Sequence, residues 1–336
     1  MKIAQHVSLL PFNTFNIEVI ADNFIEYDSV TDLQATLELG IVKSNKIIHI
    51  GGGSNLLFLK DFDGVVLHSA IKYIEKVREN VDSVYLKVGA GVVWDDFVAY
   101  CVENGWGGVE NLSLIPGETG ASAVQNIGAY SVEVQDVIVE VNAVEVASSD
   151  IRTFSNEECR YGYRESIFKT ELKDSFIITS ILFRLDKKPN FKLGYQHLEE
   201  EVLKNGSVDL KNIRQTIIAI RESKLPDPNV IGNAGSFFMN PVISKEHFLS
   251  LQADYPQIPH YFVSETEEKV PAGWLIDQCG WKGKSVGNAG VHDKQALVLV
   301  NKGGATGAEV VQLAEQIQAS VKARFGIELK PEVNYI

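Results

Sequence analysis

Three glycines followed by two small polar residues, Gly51-Gly52-Gly53-Ser54-Asn55, form the first stretch whose residue types could do chemistry. Glycine has no Cβ and adopts positive φ freely, so such a turn can point backbone N–H groups at a pyrophosphate. A P-loop would need Lys and Ser or Thr after the last glycine, and a dinucleotide fingerprint would need a helix, whereas Leu56–Leu59 is typical of a strand. The pattern indicates either another kind of phosphate-binding turn or a simple hairpin turn.

The second such stretch, residues 114–130, combines small side chains with amides and hydroxyls. Small side chains bury little apolar area per ordered residue, so the stretch is poor core material. They do allow the backbone to approach a flat ligand closely. We therefore interpret residues 114–130 as a ligand-binding segment.

Arg164 lies between aromatic and hydroxyl neighbours in the stretch Cys159–Phe168. Its side chain presents a planar fork of donors that stays charged, which suits a carboxylate or an enolate. The alternative is an ordinary surface ion pair. The local sequence does not decide between these two roles.

Ser236 lies in a glycine-flanked stretch at 232–241, and Glu332 follows Pro331 in an otherwise apolar C-terminal tail. The residues around Ser236 do not form the G-x-S-x-G elbow, and no Ser-His-Asp order is present, so a nucleophilic serine is the weaker interpretation. A lone glutamate near a terminus is usually solvated. Ser236 and Glu332 are candidates only in combination with the other segments.

The composition excludes several classes of protein. With 336 residues, 45% of them apolar and 22% charged, the chain should fold into two or three packed units. Its net charge of -13 disfavours nucleic acid, whose phosphates are bound by clustered Lys and Arg. No apolar run approaches the ~18 residues of a membrane-spanning helix. We therefore expect a soluble, cytoplasmic protein.

Three cysteines, Cys101, Cys159 and Cys279, lie far apart in the sequence. This spacing is neither a CxxC metal pattern nor the even count of a secreted disulfide framework. The neighbour of Cys159 is Arg160, which cannot accept a thiol proton, so we do not expect a catalytic cysteine. We interpret the three as buried small hydrophobic side chains and expect no bound metal.

Hydrophobic periodicity and turn residues predict the elements that must position these side chains. The predicted strands are Lys46–Ile50, Leu56–Leu59, Val65–Leu67, Val84–Val88, Val137–Val146, Phe176–Phe183 and the tail Ile327–Ile336. The predicted helices are Trp94–Asn104, Leu210–Ser223 and Gly307–Phe325. Gly105 suits the position after a helix end, and residues 186–210 are typical of a connection.

Motifs in a fixed order cover nearly the whole chain. They are Asn13-Thr-Phe15, GGGSN at 51–55, LIPG at 114–117 with QNIGAY at 125–130, YGYRESIFK at 161–169, KLPDP at 224–228, GNAGSFF at 232–238, GWLIDQ at 273–278 and PEV at 331–333. With these motifs the chain resembles the UDP-N-acetylenolpyruvoylglucosamine reductase family, flavoproteins of peptidoglycan synthesis. Gly194-Tyr195 and a loop with Tyr261 before Gly273 are similar to the longer of the family's two types.

The resemblance implies an α+β chain with a two-subdomain FAD-binding fold of the vanillyl-alcohol-oxidase type and an α+β substrate-binding domain. We place FAD-binding subdomain 1 at 1–70, subdomain 2 at 71–212, and the substrate-binding domain with its C-terminal tail at 213–336. The implied activity is the FAD-mediated, NADPH-dependent reduction of UDP-N-acetylglucosamine enolpyruvate to UDP-N-acetylmuramate. We expect a monomer with no nucleic-acid or membrane partner.

The resemblance also implies roles for individual residues. The catalytic residues fall on Arg164, Ser236 and Glu332. The cofactor-binding residues fall on Gly51, Gly52, Gly53, Ser54, Asn55, Pro116, Gly117, Ser122, Gln125, Asn126, Gly128 and Tyr130. The substrate-binding residues fall on Tyr195, Lys224, Asn240, Tyr261, Lys282 and Gln295. Met239 stands where many relatives have a lysine, which makes the substrate affinity less predictable.

In this family hydride from reduced FAD adds to C3 of the enolpyruvyl group, and negative charge builds over C2 and the carboxylate. Arg164 would stabilise that charge, and Ser236 would deliver a proton to C2. Glu332 would lie beside the substrate carboxylate, where two ionised groups repel. We therefore expect Glu332 to be protonated in the complex or bridged by a donor.

Two other functions have to be distinguished from this one. An oxidase of the same flavin fold would use O2 and often tether FAD through His or Cys, but Gly51–Asn55 and residues 114–130 contain neither. We therefore expect non-covalent FAD. A UDP-sugar-binding or scaffold protein would need neither flavin nor the combination of Arg164, Ser236 and Glu332.

Overall fold

The computed structural model describes residues 1–195 and 197–336. The strands, in chain order, are β1 (Lys2–Ser8), β2 (Ile20–Tyr27), β3 (Ile47–Ile50), β4 (Leu56–Leu57), β5 (Phe62–Ser69), β6 (Ile74–Glu79), β7 (Ser83–Gly89), β8 (Gly128–Ala129), β9 (Val132–Glu133), β10 (Ile138–Glu145), β11 (Ile151–Ser155), β12 (Phe176–Asp186), β13 (Gly232–Ser236), β14 (Val242–Ser244), β15 (Tyr261–Ser264), β16 (Glu267–Lys269), β17 (Ser285–Val286), β18 (Ala289–Val291), β19 (Val298–Asn301) and β20 (Asn334–Tyr335). The α-helices are α1 (Val30–Leu37), α2 (Gly40–Lys43), α3 (Trp94–Glu103), α4 (Thr119–Gln125), α5 (Leu198–Asn205), α6 (Leu210–Lys224), α7 (Lys245–Asp254), α8 (Ala272–Gln278) and α9 (Gly307–Phe325).

The chain forms two compact units, each assembled from separate stretches of sequence. Unit 1 consists of Met1–Val7, Ala21–Gly52 and Phe62–Ser223, and unit 2 consists of Ser8–Ile20, Gly53–Asp61 and Lys224–Ile336. The three-part division at 70 and 212 stays a prediction, and its second boundary lies inside α6. Within the described parts of the chain, none of the helices combines the length and the apolar character that a membrane span requires.

Unit 1 contains a four-stranded sheet in the order β1-β2-β5-β3, in which β5 pairs in parallel with both β2 and β3. Parallel strands need a crossover, and α1 and α2 lie in the connection between β2 and β3. Ser29 begins α1 by accepting a hydrogen bond from the backbone N–H of Asp32. A buried apolar cluster that includes Ile25, Leu33 and Leu67 joins α1 to the sheet.

Unit 1 also contains a five-stranded antiparallel sheet in the order β11-β10-β12-β7-β6. Helix α3 buries Trp94, Phe97 and Cys101 in the same core as Phe183 of β12. The three aromatic rings lie 4.8 to 6.1 Å apart, centroid to centroid. The apolar spacing that predicts α3 is therefore the face that the helix buries.

Unit 2 contains a four-stranded antiparallel sheet, β13-β19-β18-β17, a three-stranded antiparallel sheet, β14-β16-β15, and the parallel pair β20-β4. Helix α9 buries an apolar face that includes Leu313 and Ile317. It begins with a capping box between Thr306 and Glu309 and ends at Gly326, whose φ of 67° lies in the left-handed region.

The predicted elements with strong periodicity are confirmed. Helix α9 has the predicted bounds, α3 and α6 each differ from the prediction by one residue, and Gly105 has a φ of 76° just after α3. Three predictions are wrong in part. The strand predicted at Leu56–Leu59 ends at Leu57, the C-terminal tail forms only the short strand β20, and the connection over 186–210 contains α5.

Candidate cofactor and active site

The first half of the glycine turn lies against the small-residue segment within unit 1. A Cβ on Gly52 would lie 3.4 Å from Cα of Gly117, and a Cβ on Gly51 would lie 3.0 Å from Oε2 of Glu118. The turn directly follows β3, and the carboxyl ends of parallel strands are where such sheets bind ligands. Two stretches that the sequence marks separately therefore meet at the end of a parallel strand.

The second half of the glycine turn belongs to unit 2. Gly53 has a φ of 63°, and a Cβ there would lie 1.9 Å from the carbonyl oxygen of Phe12, so only glycine fits. Nδ2 of Asn55 donates to the carbonyl of Glu332 at 3.1 Å, and the carbonyl of Asn55 accepts from the N–H of Asn334 at 3.0 Å. The hairpin alternative is wrong, because β3 before the turn pairs with β5 whereas β4 after it pairs with β20.

The small-residue segment forms the short helix α4 and then the β8-β9 hairpin. Ser122 is buried and its hydroxyl donates to the carbonyl of Thr119 at 2.6 Å, while Oε1 of Gln125 accepts from Lys169 Nζ at 2.8 Å. Ten non-glycine residues of the described chain have positive φ; five of them lie in 114–130 or Cys159–Phe168, and a sixth, Ser131, directly follows the first of these stretches. Such strain is kept mainly at binding and catalytic sites, which supports a functional role for both stretches.

Asn126 ends α4 in the left-handed region, with a φ of 44°, and is fully buried. Its amide donates to Oε2 of Glu133 at 2.9 Å and to the carbonyl of Gly162 at 2.8 Å, and its Oδ1 accepts from the N–H of Gln135 at 3.2 Å. Both hydrogens of the side-chain amide are therefore committed to the protein. Asn126 ties α4 to the stretch that carries Arg164.

The guanidinium of Arg164 lies on this backbone. Its Nη2 donates to the carbonyl of Gly128 at 2.6 Å and its Nη1 to the carbonyl of Asn126 at 3.3 Å. A Cβ on Gly128 would lie 2.9 Å from Nη1, so the glycine permits the close approach. Nζ of Lys169 donates to the backbone carbonyl of Arg164 at 3.0 Å and so also holds this turn. The structure thus brings Arg164 to two of the predicted cofactor-binding residues.

Tyr130 and Tyr195 contact each other edge to face, with ring centroids 5.5 Å apart. Burial raises the pKa of Tyr130, and the positive charge of Arg221 opposes that shift. A predicted cofactor contact and a predicted substrate contact therefore share one aromatic surface.

Arg221 is not among the residues that the sequence motifs indicate. It lies on α6 seven residues after Arg214 and hence on the same helix face. Arg214 donates to both carboxylate oxygens of Asp95, at 2.6 and 2.8 Å. Nε of Arg221 is buried without a hydrogen-bond partner among the described residues. Burial lowers the pKa of Arg221, the charges of Tyr130 and Asp95 oppose the shift, and repulsion from Arg164 adds to it. A guanidinium nitrogen that is buried without a hydrogen-bond partner suits an anionic ligand. The seven-residue spacing from Arg214 was the sequence feature that could have indicated Arg221.

In unit 2, Ser236 and Glu332 lie on backbone stretches that pair with each other. Ser236 ends β13, where it is exposed and pairs with Val298. The carbonyl of Phe237, the next residue, accepts the N–H of Glu332 at 2.8 Å. Because Asn55 holds the Glu332 carbonyl, unit 2 brings residues from three separate motifs together.

Two predicted substrate contacts meet at the start of α8. Oδ1 of Asn240 accepts the N–H of Ala272 at 2.9 Å and so satisfies one of the free donors of the first turn. Oε1 of Gln295 lies 3.0 Å from where a Cβ on Gly273 would be, so the absence of a side chain at Gly273 leaves space for the Gln295 amide.

The other predicted substrate contacts lie on separate elements. Lys282 follows α8, with its Nζ 3.6 Å from Asp277, and Lys224 is the exposed last residue of α6. Tyr261 begins β15 and pairs with Lys269 of β16, at the edge of its sheet. The expected tyrosine loop is therefore a strand at this residue, and that prediction is wrong in its secondary structure.

The interpretation of the cysteines is confirmed for Cys101 and Cys159, which are fully buried. Burial raises the pKa of Cys159 to about 11, so it is a thiol and a poor nucleophile at neutral pH. Cys279 is partly exposed, and burial raises the pKa of this thiol as well.

Two family profiles match the chain. The profile of the FAD binding domain matches residues 21–155, and that of the UDP-N-acetylenolpyruvoylglucosamine reductase C-terminal domain matches residues 227–336. A protein named UDP-N-acetylenolpyruvoylglucosamine reductase from Bacteroides fragilis is 55% identical over 332 residues, which is 99% of each chain. One of the same name from Porphyromonas gingivalis is 51% identical over 340 residues, which is 100% of each chain.

A crystal structure of UDP-N-acetylenolpyruvylglucosamine reductase from Thermus caldophilus has the same fold, with a TM-score of 0.71 at 22% identity. The match covers 100% of this chain and 99% of that one. Together with the FAD-binding profile, this likeness confirms the predicted α+β class with a two-subdomain FAD-binding fold and a further α+β domain. On identities of 51% and 55% over nearly its whole length, this chain belongs to the UDP-N-acetylenolpyruvoylglucosamine reductase family and is an FAD-dependent oxidoreductase.

Proposed function

We propose that this enzyme reduces the enolpyruvyl ether of UDP-N-acetylglucosamine enolpyruvate to give UDP-N-acetylmuramate, with non-covalent FAD as carrier and NADPH as electron donor. The observation that carries the proposal is the 55% identity, over 99% of both chains, to a reductase named for this substrate. The step belongs to peptidoglycan precursor synthesis. A cytoplasmic location and a monomeric state remain predictions from the sequence.

The residues around the glycine turn fit FAD. A Cβ on Gly51 would approach Glu118, and one on Gly53 would meet the backbone, so the turn has no room for side chains at these two positions. A turn without side-chain bulk fits the close backbone approach that pyrophosphate binding requires. We assign the pyrophosphate to Gly51–Asn55 and the flavin ring to Ser122–Gly128. When bound, FAD supplies the hydride that adds to C3 of the enolpyruvyl group.

Arg164 is proposed to stabilise the negative charge that develops over C2 and the carboxylate. Its guanidinium donates to two backbone carbonyls, those of Gly128 and Asn126, and these two hydrogen bonds fix its orientation. A hydrogen-bond donor that is already oriented does not have to reorganise during the reaction, and such donors often stabilise the transition state by several kcal/mol. Arg221 is proposed to add a second positive charge for the same anionic substrate.

Ser236 is proposed to donate the proton that C2 receives. An exposed hydroxyl at the end of a strand is reachable by a substrate, and Gly235 before it, with a φ of 66°, sets the local turn. Glu332 is proposed to lie beside the substrate carboxylate, protonated or bridged by a donor. Tyr195, Lys224, Asn240, Tyr261, Lys282 and Gln295 are proposed to hold the UDP-sugar.

The reaction class is tested by anaerobic mixing. Flavin absorbance should bleach on adding NADPH and recover on adding the enolpyruvyl sugar. A flavin that NADPH reduces but only O2 reoxidises would contradict the proposal and favour the oxidase.

Ser236 is tested by following the two half-reactions separately in stopped-flow absorbance. Ser236→Ala should keep the NADPH half-reaction, which needs no proton at C2. It should slow flavin reoxidation by the substrate by the ~10²–10⁴-fold that a placed general acid contributes, and Ser236→Cys should recover part of that loss. Ser250→Ala, another exposed serine of unit 2, is the control. Reoxidation of Ser236→Ala at the wild-type rate would remove Ser236 from this role and make Glu332 the leading candidate.

A further inference from the structure

A buried histidine lies between two carboxylates in unit 1. Nδ1 of His68 lies 3.3 Å from Oε2 of Glu26, its register partner across the β2-β5 pair, and Nε2 lies 3.3 Å from Oε1 of Glu118. His68 is 7% exposed and Glu118 is 9% exposed. The three side chains form a continuous hydrogen-bonded line that the cofactor and substrate assignments above do not use.

One end of this line reaches the glycine turn. The other oxygen of Glu118, Oε2, lies 3.0 Å from where a Cβ on Gly51 would be. The proposed function, on which this inference rests, gives that turn to the pyrophosphate of FAD. An uncompensated carboxylate at this place would repel the ligand, because both would be negative and Glu118 is buried, where water screens its charge little.

The geometry identifies the compensating charge. An ionised carboxylate only accepts hydrogen bonds, so both ring nitrogens of His68 must donate if both contacts are hydrogen bonds. Only the protonated imidazolium has two donors. Burial lowers the pKa of His68, but the hydrogen bonds and charges of Glu118 and Glu26 outweigh burial, and the net pKa is raised.

The other groups that face His68 do not change this conclusion. Lys2 lies 2.9 Å from the second oxygen of Glu26, at the solvent end of the line. Burial, together with the charge of His68, lowers the pKa of His49 on β3 to about 4, so His49 is neutral near pH 7. The ring of Phe24 stacks on His68 with centroids 6.0 Å apart and carries no charge.

We infer that His68 is a cofactor-positioning residue, whose imidazolium neutralises Glu118 beneath the Gly51–Gly52 turn and so allows the turn to accept the pyrophosphate of FAD. The protonated form is the one that binds. FAD affinity is therefore full below the ordinary histidine pKa and falls as the pH rises through the raised pKa of His68. By linkage, FAD binding raises that pKa further.

The test measures the FAD dissociation constant by the fluorescence of released FAD, from about pH 6 to about pH 9, which brackets a histidine pKa raised above ~6.5. The wild type should lose affinity across this range, and a pKa difference of one unit between free and bound protein corresponds to about tenfold in affinity. His68→Gln should bind FAD weakly even at the acid end. Glu118→Gln should bind without this pH dependence, and the double variant should recover the affinity that His68→Gln loses. His6→Gln, an exposed histidine of unit 1, should behave as the wild type.

A second measurement does not depend on the variants folding. NMR titration of the seven histidine rings in the wild type, with and without FAD, should show one ring whose pKa rises on FAD binding. No such rise, or a Glu118→Gln variant with the wild-type pH dependence, would overturn the inference. Gly52→Val separates this inference from the proposed function. Full flavin content in Gly52→Val would refute the cofactor site itself. Flavin loss in Gly52→Val, together with wild-type FAD affinity in the His68 variants, would refute only the role of His68.

Discussion

Replacing Asn126 by alanine should destabilise unit 1 and loosen the support of Arg164. The side chain makes three hydrogen bonds, to Glu133, Gly162 and Gln135. A net hydrogen bond contributes about 1 kcal/mol and one to a charged group about 1.5–3 kcal/mol, so losing all three should cost about 4 kcal/mol. Alanine at a φ of 44° should add about 1 kcal/mol, because its Cβ crowds the left-handed conformation.

Asn126→Gly separates these two contributions. It loses the same three hydrogen bonds, but glycine adopts the left-handed region without penalty. The free energy of unfolding of Asn126→Gly should therefore be roughly 0.5–1 kcal/mol higher than that of Asn126→Ala, so the glycine variant is the more stable of the two. Asn104→Ala is the matched control, because Asn104 is the exposed C-cap of α3 with one side-chain bond, to the carbonyl of Tyr100 at 2.8 Å. It should change stability by no more than about 1 kcal/mol.

The assay is urea-induced unfolding followed by far-UV circular dichroism, with the two flavin half-reactions measured on the same samples. Arg164 donates to the carbonyl of Asn126, and Asn126 also holds Gly162, two residues before Arg164. Substrate reoxidation should therefore slow more than reduction by NADPH. A free energy of unfolding of Asn126→Ala within about 1 kcal/mol of the wild type would show that these three hydrogen bonds do not stabilise unit 1. If Asn126→Ala is unstable but reoxidises at the wild-type rate, Asn126 does not position Arg164.

Three further predictions concern single contacts. Gly53→Ala should lower the calorimetric unfolding midpoint far more than Gly52→Ala. The added Cβ would lie 1.9 Å from a backbone carbonyl oxygen at position 53 but 3.4 Å from a backbone carbon at position 52. Equal midpoints for the two variants would contradict this prediction. Arg214→Met should cost about 2–4 kcal/mol in urea unfolding because it removes the ion-pair partner of Asp95, whose carboxylate then keeps the N–H of Leu114. Arg221→Met should be stable but lower kcat/KM for the UDP-sugar. An unchanged kcat/KM would show that the unpaired Nε does not bind substrate. Tyr261→Phe should raise KM for the UDP-sugar in steady-state assays, and a slower NADPH half-reaction instead would contradict its assignment to the nucleotide.

The elements that the sequence predicts well are those whose stability is local. Helix α9 has its capping box, its apolar face and its terminal Gly326 within one short stretch, so each residue favours the same structure. Helix α3 lacks a side-chain N-cap, but its apolar face and Gly105 likewise lie within one short stretch. Their bounds were predictable to within one residue.

Helices α4 and α5 were not predictable in this way. Residues 119–125 are mostly small and carry no apolar stripe, and α4 is held by tertiary bonds such as the one from the Ser166 hydroxyl to the carbonyl of Val124 at 2.7 Å. Helix α5 has two buried residues, Leu198 and Val202, which pack on Ile213 and Ile217 of α6. A pair at i and i+4 is too little periodicity to identify a helix without knowledge of its partner.

The candidate site was predictable as a set of stretches but not as a set of roles. The composition of residues 114–130 indicated a ligand site because small side chains leave space for a ligand. The structure does place Gly117 against the glycine turn. Asn126 and Glu118 lie in the same stretch, yet one is committed to protein hydrogen bonds and the other to His68. Which of two polar residues faces a ligand depends on partners distant in sequence, and nothing local encodes those partners.

Glu332 shows the same limit at the C-terminus and also how its role can be isolated. Its N–H donates to the carbonyl of Phe237, its carbonyl accepts from Asn55, and the β20-β4 ladder begins two residues later at Asn334. All these contacts use the backbone of residue 332 or of its neighbours, so a change of the side chain at 332 leaves these backbone groups in place. Glu332→Gln should consequently leave the tail in place and report on the carboxyl group alone.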